Sequence, residues 1–311
     1  MNLAEWRTRE SFYEATARRR ITGVLDQNSF QEILGPADRI TSPHLEELGF
    51  PVSFDDGVVI GSGLLNGNNV MIAAQESGFM GGSVGEVHGA KMTGLLQSAL
   101  ATKTTAVLLL LDTGGVRLHE ANAGLVAISE IQRAAFRLRE AGIPILVLIG
   151  GNNGCYGGMG IFARCCDHVI MSEEGRLSLA GPEVIETAGG VEEFDSRDRA
   201  LVWRTMGGKH RFLLGEADRL VIDDIRAFRA AAIELMQKPE PLTLESMLQE
   251  HRRLAERLEA YGDCKDALEI WKRMGIPGSD SIPIMDNEAF HAAIKPYVAS
   301  KETQEKKCHE R

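Results

Sequence analysis

The sequence predicts an α/β protein with a largely parallel sheet. Two short and wholly apolar runs, 106–111 and 145–149, have the length and composition of buried strands. Each run is followed by a glycine-rich turn and then by a segment with the residue spacing of a helix. Strands and helices that alternate in this way pair in parallel through right-handed crossovers.

Length and composition indicate an ordinary globular chain. Its 311 residues allow one large domain or two average ones, and it is 44% hydrophobic and 25% charged. The net charge of −10 argues against nucleic acid or an anionic membrane as a partner. There is no signal-peptide core and no apolar run of about 18 residues, so we expect a cytoplasmic protein. Five cysteines without paired spacing predict neither a metal site nor a disulfide framework.

The first part of the chain should end in a hairpin and a long helix. Residues 1–54 are expected to form a mainly helical lead-in, interrupted by prolines. Runs 58–65 and 69–75 flank Asn66-Gly67-Asn68, which is typical of a hairpin turn. A helix from Glu86 to about Ala101 then follows Gly81-Gly82-Ser83.

The central elements repeat this arrangement. A helix with Leu125, Ile128, Ile131 and Ala135 at helical spacing should end at Gly142. Pro182 has the position of a first helical residue. The remaining predicted elements are a short helix at 157–163, a strand at 168–172, and helices at 196–206 and 224–236.

Pro239 and Pro241 mark the expected domain boundary. Residues 1–238 should form the main α/β domain, including the lead-in. Residues 239–311 should form a helical extension with amphipathic helices at 242–261 and 265–274. From Lys301 onward we expect a frayed tail.

The two glycine turns, 112–115 and 154–158, are the best candidates for chemistry. A helix that starts after such a turn leaves backbone N–H groups without intrahelical acceptors, where negative charge is favoured. The structural alternative is that the glycines only permit tight turns and close packing. P-loop, dinucleotide, zinc-protease and nucleophile-elbow signatures are missing. An oxyanion hole, with two N–H donors about 3 Å from one oxygen, suits a reaction through a thioester enolate.

Three stretches resemble a known family. They are 79–85 (FMGGSVG), 112–120 (DTGGVRLHE) and 179–186 (LAGPEVIE). Over roughly residues 55–235 the chain is similar to the β subunits of acetyl-CoA-carboxylase-type carboxyltransferases. Within that family it most resembles the β subunits of biotin-independent malonate decarboxylases, on account of the GNNGCYGGMG run at 151–160 and the helical extension. The chain lacks the four-cysteine zinc ribbon of the bacterial carboxylase subunit.

The resemblance implies a crotonase-like fold, a superhelix of stacked ββα units with helical terminal segments. It implies decarboxylation of a malonyl thioester, carried on the CoA-derived prosthetic arm of an acyl carrier protein, with no biotin, metal or permanently bound cofactor. The implied partners are a homologous γ subunit, the carrier and an acyltransferase α subunit. The implied oxyanion-hole residues are Gly114 and Gly115 at the first turn, and Tyr156, Gly157 or Gly158 at the second. The implied substrate-binding residues are Gly81, Gly82, Val116, Arg117, Ala180, Gly181 and Pro182.

Other interpretations stay open at this point. The chain could instead be the carboxyltransferase subunit of a biotin-dependent carboxylase, or a scaffold that only completes a partner's pocket. Tyr156 could protonate the enolate or simply pack, and Arg117 could bind a carboxylate or form a salt bridge. Cys155 is a weak candidate nucleophile. His88 and His119 could act as acids at neutral pH, but each is expected to be a surface or capping residue.

Overall fold

The computed structural model describes residues 9–49, 53–240 and 242–298. One seven-stranded sheet runs through it, with its strands in sequence order. Strands β1 to β3 pair antiparallel, and β3 to β7 pair in parallel. The strands are β1 Gln31–Ile33, β2 Val58–Leu65, β3 Asn68–Gln75, β4 Ala106–Leu110, β5 Ile145–Ile149, β6 His168–Ser172 and β7 Arg219–Val221. The predicted α/β class and the hairpin at Asn66 and Gly67 are confirmed.

Helices cover both faces of the sheet. On one face lie α2 (Glu86–Thr102), α3 (Ala123–Glu140) and α4 (Gly158–Cys165). On the other lie α1 (Ala17–Val24) and α8 (Ile225–Leu235). Phe12, which precedes α1, and Phe228 of α8 belong to the second hydrophobic core, on this face of the sheet. The central strands β4 and β5 are buried along their whole length, which explains their unbroken apolar runs.

Beyond the carboxyl ends of the parallel strands, isolated β-bridges join successive segments of the chain. Parallel bridges join Val84 to Val116, Thr113 to Cys155, and Cys155 to Leu177. Each repeated unit therefore has a long strand, a one-residue bridge and then a helix. This is the stacked ββα arrangement that the resemblance implied.

The remaining helices follow β6. They are α5 Pro182–Gly189, α6 Arg199–Met206, α7 Gly208–Leu213, α9 Leu244–Tyr261, α10 Ala267–Arg273 and α11 Asn287–Ile294. Helices α10 and α11 pack on α7 and β7 around Trp271 and Phe290. The division at 238/239 stays a prediction. The tail predicted from Lys301 lies outside the described residues.

Some local expectations were wrong. Among residues 9–49, α1 is the one α-helix, accompanied by β1 and a 3-10 turn, so the lead-in is less helical than predicted. Leu125 is 58% exposed, although its spacing placed it with the buried Ile128 and Ile131. Strand β7 and helix α11 were not anticipated, and β7 has only three residues, Arg-Leu-Val.

Candidate functional site

The two glycine turns meet at the carboxyl edge of β4 and β5. Because the two strands are parallel neighbours, both turns leave the sheet at the same edge. The Thr113–Cys155 bridge joins them, and a Cβ built on Gly157 would lie 3.6 Å from the Gly115 Cα. Both glycines have positive φ, 135° at Gly115 and 64° at Gly157, which explains why glycine occupies these positions.

Two further predicted segments flank the turns. The Gly114 N–H donates to the Gly81 carbonyl at 3.0 Å, and the Gly157 N–H donates to the Leu179 carbonyl at 2.9 Å. Gly82 lies so close to the first turn that a Cβ on it would be 1.9 Å from the Asp112 carbonyl oxygen. The structure thus brings the segments containing Gly81, Gly115, Gly157 and Ala180 side by side.

Most of the predicted oxyanion donors already have acceptors. Besides Gly114 and Gly157, the Gly115 N–H donates to Thr113 Oγ1 at 3.1 Å and the Tyr156 N–H to the Thr113 carbonyl at 3.2 Å. Within the described residues, the N–H groups of Gly158 and Val116 donate to no protein acceptor. Sequence reasoning could not separate these donors, because the acceptors for Gly114, Tyr156 and Gly157 come from segments far away in the chain.

The positions of these two N–H groups follow from the local structure. Gly158 is the first residue of α4, where an N–H has no intrahelical acceptor. Val84 donates to the Gly115 carbonyl and accepts from the Arg117 N–H, so the Val116 N–H faces away from Val84. One open donor therefore comes from each turn. The dipole of α4 favours negative charge at Gly158.

The third segment borders the second turn. Gly181 precedes α5, with Pro182 at its first position as predicted. A Cβ on Gly181 would lie 3.9 Å from the Tyr156 ring. Ala180 and Gly181 are partly exposed, whereas Pro182 is buried.

Tyr156 packs under this segment. Its ring lies with Phe194, Val202 and Met206, and its buried hydroxyl has no hydrogen-bond partner in the described structure. Burial raises the pKa of Tyr156 to about 12, so the hydroxyl stays protonated at neutral pH. These surroundings favour the packing interpretation over proton donation.

Arg117 lies in a buried ion-pair cluster. It is 3% exposed, donates to Glu120 Oε1 at 3.0 Å and to Asp55 Oδ1 at 3.1 Å, and reaches the Ser83 carbonyl through Nε at 3.0 Å. Burial would raise the pKa of Asp55, but the Arg117 guanidinium outweighs it and holds the pKa below its usual range. The cluster favours the salt-bridge interpretation over binding of a substrate carboxylate.

Neither Cys155 nor His88 is placed for a reactive role. Cys155 is fully buried, and burial raises the pKa of its thiol well above the usual range. His88 was expected to be a surface or capping residue, and a surface position is wrong: it is fully buried beside Gln75, with Nε2 of both side chains 3.2 Å apart. Burial, and then the Arg117 charge, lower the pKa of His88 to about 3, so the imidazole is neutral.

Sequence reasoning missed Asp112 as an individual residue. Its carboxylate is fully buried below the first turn, where it meets Arg20 and the Asn153 N–H. The available signal was an acidic residue directly after an apolar strand. Among the described residues no cluster of three His, Cys, Asp or Glu side chains could hold a metal ion, and no helix is long and apolar enough to cross a membrane.

Comparisons with known proteins agree with this architecture. A sequence profile described as the carboxyl transferase domain matches residues 13–228. The chain is 40% identical to the malonyl-S-ACP:biotin-protein carboxyltransferase MADC of Malonomonas rubra, over 94% of this chain and 99% of that one.

Two solved structures are also similar. One is a Pseudomonas malonate decarboxylase hetero-tetramer in complex with malonate (TM-score 0.78, 40% identity, 88% of this chain and all of that chain). The other is the Pseudomonas MdcD–MdcE hetero-dimer of malonate decarboxylase (TM-score 0.65, 38% identity, 85% of this chain and all of that one). The resemblance drawn from the motifs is confirmed, and the fold is the crotonase-like fold of the carboxyltransferases.

Proposed function

The chain belongs to the carboxyl transferase domain family, and from that membership we propose that it is the β-type subunit of a malonate decarboxylase. Its substrate would be a malonyl thioester carried on the prosthetic arm of an acyl carrier protein. The observation that carries the proposal is the pair of open N–H groups, Val116 and Gly158, at adjoining glycine turns. Similarity to a malonate decarboxylase with bound malonate supports the substrate class.

The proposed reaction needs only backbone donors in its first step. The bond between the malonyl carboxylate and the α-carbon breaks, and carbon dioxide leaves. The electron pair of that bond becomes the enolate, whose oxygen is the former thioester carbonyl. The N–H groups of Val116 and Gly158 would stabilise this oxygen, because they are fixed before the charge develops. A proton added to the α-carbon then yields the acetyl thioester.

The surface around the turns supports a partner subunit. Several large apolar side chains stand exposed there, which is unusual unless a partner covers them. They are Met80, Leu118, Leu125, Val126, Ile161, Leu179 and Val184. We propose that a homologous γ subunit covers this surface and completes the site, with the carrier protein and an acyltransferase α subunit in the same assembly. The hetero-dimeric and hetero-tetrameric relatives are consistent with this.

A second function is favoured by one comparison. The relative from Malonomonas rubra is named for transfer of a carboxyl group to a biotin protein. The same enolate site would serve that reaction, with the carboxyl group passing to biotin instead of leaving as carbon dioxide. Avidin, which binds biotin, distinguishes the biotin-independent decarboxylation from the biotin-dependent transfer. Carbon dioxide release by the assembled complex from a malonyl carrier thioester should persist with avidin, and loss of release would favour the biotin-dependent reaction.

The backbone-donor hypothesis is tested at Gly158. A Cβ there would lie 2.8 Å from Ile128 Cγ2, so both variants carry Ile128→Ala. Gly158→Pro removes the N–H and is compatible with a first helical position, whereas Gly158→Ala keeps the N–H. We expect the proline variant to release carbon dioxide about 100-fold more slowly than the alanine variant. Equal rates would rule out the Gly158 donor and favour a scaffold role.

A further inference from the structure

Asp112 is the first residue of the first glycine turn, and its side chain contacts the segment that leads into the second. It lies two residues after the end of β4 and two residues before Gly114, and its side chain is fully buried. Its Oδ1 accepts the Asn153 N–H at 2.8 Å, and Asn153 precedes the second turn by one residue. The carboxylate of the first turn therefore holds the backbone that leads into the second.

The other groups of Asp112 are equally constrained. Its N–H donates to Gln75 Oε1 at 2.9 Å, at the end of β3. A Cβ on Gly151 would lie 2.1 Å from Asp112 Oδ2, so glycine is required for the loop to approach. The carbonyl of Asp112 occupies the space that any side chain at Gly82 would need.

The charge of Asp112 is balanced by a cation that is itself fixed. Arg20 NH1 donates to Asp112 Oδ2 at 2.9 Å, and both side chains are almost completely buried. Arg20 Nε also donates to the Phe12 carbonyl at 2.7 Å, with the guanidinium 4.8 Å from the centre of the Phe12 ring. A buried ion pair is weak evidence for stability, because desolvation offsets its attraction. A role in fixing the geometry of the turns explains the position of the Arg20–Asp112 pair better than a contribution to stability does.

We propose that Asp112 is a positioning residue that holds the two glycine turns at the spacing needed for their N–H groups to act on one oxygen. Arg20 balances the charge of the Asp112 carboxylate and orients it through its hydrogen bond to Oδ2. The proposal rests on the proposed function, since it assigns Asp112 to the geometry of the same site. Displacements of about 1 Å in such a site can lower a rate about 100-fold.

Asp112→Asn is the informative variant, and Asp167→Asn is its matched control. An amide at 112 cannot accept from both Arg20 and Asn153, so one of the two bonds is lost. Asp167 is also buried. It accepts two backbone N–H bonds, from Ile145 at 2.9 Å and Glu240 at 2.8 Å, and Arg139 Nε lies 3.6 Å away. It lies at the opposite edge of the sheet, because Ile145 begins β5.

Both variants would be assembled with the partner subunits and compared at equal folded fraction. We expect Asp112→Asn to lower kcat for carbon dioxide release about 10- to 100-fold, with KM changed less than about threefold. Asp167→Asn should keep kcat within about threefold of wild type, even if its melting temperature falls as much as that of Asp112→Asn. Equal kcat losses in the two variants, or none at Asp112, would overturn the proposal.

Amide hydrogen exchange gives a readout that does not depend on activity. The peptide containing 152–158 should exchange at least tenfold faster in Asp112→Asn than in wild type, and unchanged in Asp167→Asn. Unchanged exchange in Asp112→Asn would overturn the positioning role. A wild-type complex that releases no carbon dioxide, combined with faster exchange in Asp112→Asn, would overturn the proposed function while leaving the link between the turns in place.

Discussion

Gly115 and Gly157 adjoin across the two turns: a Cβ on Gly157 would lie 3.6 Å from the Gly115 Cα, and both residues have positive φ. They are 42 positions apart in the numbering, and the parallel pairing of β4 with β5 brings them together. A methyl group on Gly157 would therefore contact Gly115 and occupy space between the two turns.

Gly157→Ala should therefore impair activity more than stability. The methyl group would stand between the turns, and the φ of 64° strains any residue with a Cβ by about 1–3 kcal/mol. We expect carbon dioxide release to fall at least tenfold per folded complex. Gly190→Ala is the matched control, because Gly190 has a φ of 86° and open space around its Cβ position. Similar activity losses in both variants would mean that backbone strain alone is responsible.

Tyr156→Phe should leave the rate within about threefold of wild type. The hydroxyl is buried without a partner in the described structure, and the ring packs with Phe194 and Met206. Removal of an unpaired buried hydroxyl is neutral or stabilising by about 1 kcal/mol. Urea unfolding and steady-state kinetics on the same preparation check both parts. A rate loss of 100-fold at unchanged stability would instead make Tyr156 the proton donor.

Arg117→Met should act on stability. The change leaves the buried carboxylates of Asp55 and Glu120 without their cation, which typically costs about 3–5 kcal/mol. Urea denaturation of the isolated subunit measures this loss. A variant that unfolds like wild type but has a strongly raised KM would show that Arg117 binds the malonyl carboxylate.

The stability of the subunit should fall as the pH rises above about 6.5, through His168. Burial alone would lower the pKa of His168, but the Asp218 carboxylate and the Lys238 carbonyl outweigh it and raise the pKa. A folded pKa above the unfolded value of about 6.5 means that protonation stabilises the fold fully below that pH. This contribution is lost as the pH passes through the folded pKa.

Urea unfolding at pH 6 and pH 8 tests this dependence. We expect wild type to lose more stability between the two pH values than His168→Asn, which has no ionisable ring. Identical changes in the two proteins would show that other groups cause the pH dependence.

Much of the fold could be predicted from local patterns. The unbroken apolar runs of β4 and β5, the Asn66-Gly67 turn and Pro182 at the start of α5 each depend on interactions within a few residues. The lead-in before β2 was less predictable, because its residues are held by distant partners, as the Ala17 N–H is by Glu76.

The glycine turns could be identified from the linear order of residues, since turn geometry and open helix N-termini are local properties. Only the tertiary structure decided which N–H groups stay open. The carbonyls of Gly81 and Leu179, which accept from the Gly114 and Gly157 N–H groups, come from other segments of the chain. It also decided that Arg117 pairs with Asp55, 62 positions away, and that Asp112 joins the two turns. Charge pairing and hydrogen-bond satisfaction in a buried site depend on which segments become neighbours, and residue spacing along one chain carries no record of that.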